Sequence, residues 1–104
     1  MREFVFDIES DGLLDTITKI HCLSYSEVNG SFKCTLYDQQ DIREFFDEGH
    51  LYIGHHIVGY DFKALNKICG IKRPKYFLDT LAWSWYLFPD RAEHGLESWG
   101  EDFG

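Results

Sequence analysis

The apolar run Phe4-Val5-Phe6 within Glu3-Phe4-Val5-Phe6-Asp7-Ile8-Glu9 has the aromatic and β-branched content of a strand, which ends in acidic residues. Ser10-Asp11-Gly12 follows as a turn. Two more strand-like stretches, 18–28 and 31–37, flank Val28-Asn29-Gly30-Ser31, and Asn-Gly favours the two-residue turn of a hairpin. Pairing Val28 with Ser31 sets Cys34 opposite Tyr25 and Cys22 opposite Tyr37. Leu23, Tyr25, Phe32, Cys34 and Leu36 then share one face, and Ser24, Ser26, Ser31, Lys33 and Thr35 the other. That is a half-buried antiparallel sheet.

Beyond Tyr37 the period changes. Asp38 predicts an N-cap, Ile42, Phe45 and Phe46 share a helical face, and Gly49 ends the helix. Leu51-Tyr52-Ile53-Gly54 reads as a short apolar strand. Phe62, Leu65, Ile68 and Cys69 mark a helix from Gly59 to Cys69, stopped by Gly70. Leu78, Leu81, Ala82, Trp85 and Phe88 mark a third, ending near Pro89, and a further helix begins within 95–99. Strand, hairpin, helix, strand, helix, helix predicts an α/β fold, an α+β mixed sheet with helices against it, as one domain over 1–104.

Composition narrows the class. With 44% hydrophobic and 17% aromatic residues the 104-residue chain has material for a core, which excludes a disordered protein. No apolar run approaches the roughly 20 residues a membrane span needs, and the charges near the start exclude a signal peptide, so a cytoplasmic protein without a membrane is expected. Cys22, Cys34 and Cys69 form no CxxC, and the hairpin register turns the first two to opposite faces. They are expected to be reduced core residues. A net charge of −8 makes a poor non-specific nucleic-acid binder, but acids loaded with divalent cations reverse their local sign.

Asp7 and Glu9, two apart on a strand, project their carboxylates from one face. Their repulsion is unfavourable unless a cation or solvent offsets it, and Mg²⁺ prefers carboxylate oxygens. With 18 acids in the chain, about three such pairs arise by chance, so the spacing alone marks no site. Asp61 stands in the first turn of a helix, behind Gly54-His55-His56-Ile57-Val58-Gly59-Tyr60, where an acid also serves the helix dipole. His55 and His56 are adjacent and diverge, which argues against joint zinc ligation. Trp83, Trp85 and Trp99 could stack on bases, although helical aromatics are more often core.

Phe4-Val5-Phe6-Asp7-Ile8-Glu9-Ser10-Asp11-Gly12-Leu13 resembles the first motif of the DEDD superfamily of 3′→5′ exonucleases, and residues 54–61 resemble its second. With Asp79-Thr80-Leu81 and His94-Gly95-Leu96-Glu97-Ser98-Trp99-Gly100, the chain is most similar to the proofreading domain of bacteriophage family A DNA polymerases. The resemblance implies a ribonuclease H-like fold and two-metal hydrolysis of DNA from its 3′ end, with two Mg²⁺ or Mn²⁺ ions. By match to the motifs, Asp7 would bridge both ions, Glu9 would serve the nucleophile side and Asp61 the second ion. Ser10 and Leu13 would lie by the terminal nucleotide of single-stranded DNA, and Tyr60 and Phe62 would line or support the site.

Two departures change what is expected. His56 stands where the second motif usually has Asn, which alters substrate handling at that position. The third motif lies downstream of Trp99-Gly100 in such enzymes, and this chain stops at Gly104, which implies a C-terminally truncated fold lacking the fourth carboxylate. The alternatives are a catalytically incomplete module that binds nucleic acid or a partner protein, and half of a split phage DNA polymerase. An uncovered apolar face around Leu81, Trp85 and Trp99 predicts self-association or a polymerase polypeptide as partner, in a host cytoplasm if phage-encoded.

Overall fold

The structure, a computed structural model, describes residues 2–30 and 32–87, the side chain of Trp85 excepted. The helix expected within 95–99 and the stop near Pro89 lie outside the described residues, as does Ser31 of the hairpin turn.

The chain runs β1 (Glu3–Ser10), β2 (Ile20–Glu27), β3 (Lys33–Leu36), α1 (Gln39–Asp47), β4 (Leu51–Gly54), a single π-helical turn (Ile57–Asp61), α2 (Phe62–Cys69), β5 (Phe77–Asp79) and α3 (Thr80–Leu87). The five strands form one mixed sheet in the order β3-β2-β1-β4-β5. β1, β2 and β3 pair antiparallel, whereas β4 runs parallel to β1 and β5 parallel to β4. The expected mixed sheet of a small α+β domain is therefore present.

The hairpin register is the one the Asn-Gly turn dictates, with Tyr25 opposite Cys34 and Leu23 opposite Leu36. Alternation along β1 turns Phe4, Phe6 and Ile8 inward, where they meet Leu23 of β2 and Tyr52 of β4 in one apolar layer. α1 covers that layer with Ile42, Phe45 and Phe46, and α2 adds Phe62, Ala64, Leu65 and Cys69. Aromatic rings tile the contact: Tyr25 stacks on Phe45 at 4.4 Å, and Phe46 meets Phe6 edge-on at 5.2 Å. Tyr52 is wholly buried, its hydroxyl donates to the Phe45 carbonyl, and burial pushes its pKa up to about 12.

Both local and distant partners satisfy the helix ends. Asp38 accepts from the Gln40 N–H at 2.7 Å as the N-cap of α1. Gly70, at φ +67°, closes α2, while the Arg43 guanidinium of α1 donates to the Cys69 carbonyl at 2.8 Å.

Three expectations are corrected. The stretch 59–61 belongs to a π-turn that begins at Ile57, because His56 takes a left-handed conformation (φ 60°) just ahead of it. Leu78 belongs to a strand, since Phe77–Asp79 pairs with β4 before α3 starts. Of the cysteines, all free, only Cys69 is buried; Cys22 and Cys34 lie half-exposed on edge-ward strands of the sheet.

Candidate functional site

β1 and the π-turn bring Asp7 and Asp61 near each other. Asp7 and Glu9 point away from the helix-covered layer, on the sheet face that carries no helix from α1 or α2. Asp61 ends the π-turn beside the C-terminal half of β1 and is 5% exposed. The Ile8 amide N–H acts on both the Asp7 and the Asp61 carboxyls, which ties residues distant in sequence to one point. Glu9 is felt by Asp7.

Electrostatics distinguish these acids from structural ones. Burial pushes Asp61 up to about 7, and the charge of Asp7 adds to the rise. Asp7 is raised less, by partial loss of water and then by Glu9. Among the described residues neither Asp7, Glu9 nor Asp61 is in an ion pair; the pairs present are Arg2–Glu27 and His50–Glu48. Asp11 is the opposite case: the Thr18 hydroxyl and amide, with the Lys19 amide, hold it down at about 2. It serves the loop that follows β1.

Two hydrogen-bond clusters fix the π-turn against β1. On one side the Tyr60 hydroxyl meets Ser10 Oγ at 2.6 Å and the Gly12 carbonyl at 2.7 Å. On the other, Asp79, 7% exposed, accepts three backbone N–H groups at 2.9 Å each: His56 and Leu81 at Oδ1, and Val58 at Oδ2. Gly54 makes the close return possible, because a Cβ there would meet Ile57 Cγ2 at 2.3 Å and the Phe6 carbonyl at 3.2 Å. Asp79 is the functional candidate that periodicity does not reveal. Its one local signal is an acid at the N-cap position ahead of Thr80-Leu81.

The remaining candidates fall in different places. Leu13 is exposed on the loop after β1, and Ser10 is held by Tyr60. Phe62 is buried among Phe6, Phe46 and Phe77. His56 is exposed, whereas His55 turns to Thr80 Oγ1 at 2.9 Å and burial lowers its pKa, so the two rings diverge. A cavity of 650 Å³ runs over the face that carries Asp7, lined among others by Val5, Ser24, Lys33, Ile53 and His55. On α3, Trp83, Tyr86 and Leu87 are exposed and Leu81 is half-buried. Trp99 lies outside the described residues.

Among the described residues, no group of three or more His, Cys, Asp or Glu side chains is gathered to hold a metal ion, and no helix is long and apolar enough to cross a membrane.

Comparison with known proteins overturns the exonuclease assignment. An endolytic peptidoglycan transglycosylase RlpA of Rickettsia prowazekii (strain Madrid E) is 37% identical to this chain over 79 residues. The match takes in 73% of this chain and 25% of that protein, so the chain spans about a quarter of its curated relative's length. No family model matches. The relative is named for a cell-wall lytic activity, not an exonuclease. Membership of the DEDD superfamily, proofreading, DNA replication, two-metal hydrolysis of DNA and the split-polymerase alternative therefore do not stand. The motifs have plainer causes: a strand with an acidic end yields the first, and close contacts account for the glycines of the second, Gly54 against Ile57 and the Phe6 carbonyl and Gly59 against the His56 ring.

Proposed function

We propose that Asp7 and Asp61, with Glu9 beside them, form a binding site for a divalent cation, Mg²⁺ or Mn²⁺. One observation carries this reading: a buried carboxyl, Asp61, lies near enough to the Asp7 carboxylate to feel its charge, and among the described residues no lysine or arginine is paired to either. Two acids held together at such a cost suit a ligand that neutralises them. The donor set fits a hydrated ion, since Mg²⁺ commonly keeps several waters and takes one or two protein carboxylates. When bound, the ion would polarise an oxygen of a ligand or of water. Asp61 would hold its share from the buried end of the turn, Asp7 would meet the ion from the strand, and Glu9 would orient water. The cavity beside Asp7 offers an approach along the open face.

Titration with Mn²⁺, followed by electron paramagnetic resonance, tests the reading. Wild type should bind, and Asp7→Asn and Asp61→Asn should each weaken binding at least tenfold. Equal affinity in all three proteins, or no binding at millimolar Mn²⁺, would overturn it.

A second reading is favoured by the acidity of Asp61 together with the name of the Rickettsia relative. A carboxyl that titrates near 7 can donate a proton to a glycosidic oxygen and take one back, as a general acid and base. Incubation with purified peptidoglycan separates the two. Product release that persists in EDTA and is lost in Asp61→Asn supports the glycan reading; no release sinks it.

The strand order β3-β2-β1-β4-β5, antiparallel on one side of β1 and parallel on the other, also supports inferring a ribonuclease H-like sheet.

A further inference from the structure

We propose that Asp79 is a positioning residue for the Asp7–Asp61 site, setting the turn that brings Asp61 to β1. The proposal rests on the cation-site reading given above. Asp79 ends β5, where it pairs in register with Gly54, the last residue of β4. From there its carboxylate spans the gap between two strand ends and gathers the amides of His56, Val58 and Leu81. An N-cap alone would explain Leu81, two residues on. It does not explain His56 and Val58, which lie 23 and 21 residues back in the chain.

Those two amides flank the start of the π-turn. His56 sits in the left-handed region, uncommon for a residue other than glycine although His enters it more readily than most. The Asp79 bond to the His56 N–H supplies one restraint there, and the bond from Val58 fixes the first residues of the turn. Asp61 follows three residues after Val58, and Tyr60 is pinned to Ser10 and Gly12 on the far side. The turn is thus held at both ends, and the placement of Asp61 beside β1 follows from both.

Asp79→Asn isolates the effect. Asn keeps one acceptor oxygen for His56 and Leu81, but sets an NH₂ group against the Val58 N–H. Asp79→Ser, which retains a capping hydroxyl for Leu81, is measured beside it, with Ile42→Val as a control for plain destabilisation. Three readouts are taken on the full chain: the Mn²⁺ affinity, the exchange rate of the Val58 amide, and the chemical shift of the Ile8 amide. Asp79→Asn and Asp79→Ser should weaken Mn²⁺ binding about tenfold, speed exchange at Val58 and shift the Ile8 amide, while Ile42→Val changes none of these. Unchanged Mn²⁺ affinity and an unchanged Ile8 shift, in a folded Asp79 variant whose Val58 amide exchanges faster, would overturn the proposal. If wild type fails to bind Mn²⁺ but the Ile8 shift still depends on Asp79, the cation reading fails and the positioning role stands.

Discussion

The two faces of the sheet divide the labour of this molecule. On one, Phe4, Phe6, Ile8, Leu23 and Tyr52 lie under α1 and α2, almost free of polar atoms. On the other, Val5, Asp7 and Glu9 of the same strand share an open surface with Ser24, Ser26 and Ile53. Neighbouring residues in β1 therefore obey different rules. The covered face is built for burial, which stabilises by roughly 25 cal/mol per Å² of apolar surface. The open face keeps its acids near water, where they can meet a ligand. Asp61 blurs the division, a buried acid beside the exposed Asp7.

Paired truncations in β1 are the strongest way to break this contrast. Phe6→Ala should cost about 3–5 kcal/mol in urea unfolding, whereas Val5→Ala, one residue away and 44% exposed, should cost under about 1 kcal/mol. Similar losses at the two positions would mean that the faces are energetically alike.

Asp61 sharpens the contrast through pH. Its folded-state pKa, raised to about 7 from 3.8, means that the native protein holds the proton more tightly than the unfolded chain. The protonated carboxyl therefore favours the fold below about pH 4, and that benefit is lost as pH rises to about 7. Asp61→Asn should be more stable than wild type at pH 8, by an amount on the order of 3 kcal/mol, with the gap shrinking towards pH 4. A gap that does not change across thermal melts at several pH values would contradict the buried-acid assignment. The smallest effect belongs to Ser24→Ala, which removes a hydroxyl bond to Thr35 on the open face. It should move stability by less than about 0.5 kcal/mol.

Much of this fold is legible in the chain. Spacing puts Asp7 and Glu9 on one face of β1, and the Asn-Gly turn fixes the pairing of Tyr25 with Cys34. Asp38 and Gly70 mark helix ends by rules of local hydrogen bonding. What escapes is non-local. β5 is three residues long and gains its identity from pairing with β4, so Leu78 reads as part of a helix. The π-turn depends on a carboxylate 21 residues further on, which no local window contains. Asp7 and Asp61 are visible as acids, but their nearness and the burial of Asp61 come from tertiary contacts. The motif-based reading of their chemistry did not survive comparison, because short acidic patterns arise from strand alternation as readily as from catalysis.

The placement of β1 at the centre of the sheet has a kinetic consequence. The β1–β2–β3 meander closes short loops, whereas the parallel pairing of β1 with β4 joins Glu3 to Leu51 and waits on a much longer segment. Distant pairings are slow because chain entropy is lost before contacts repay it. In a refolding reaction the hairpin ribbon should thus mature first, and the approach of Asp61 to Asp7 should come only in the last phase, once the crossover through α1 has closed.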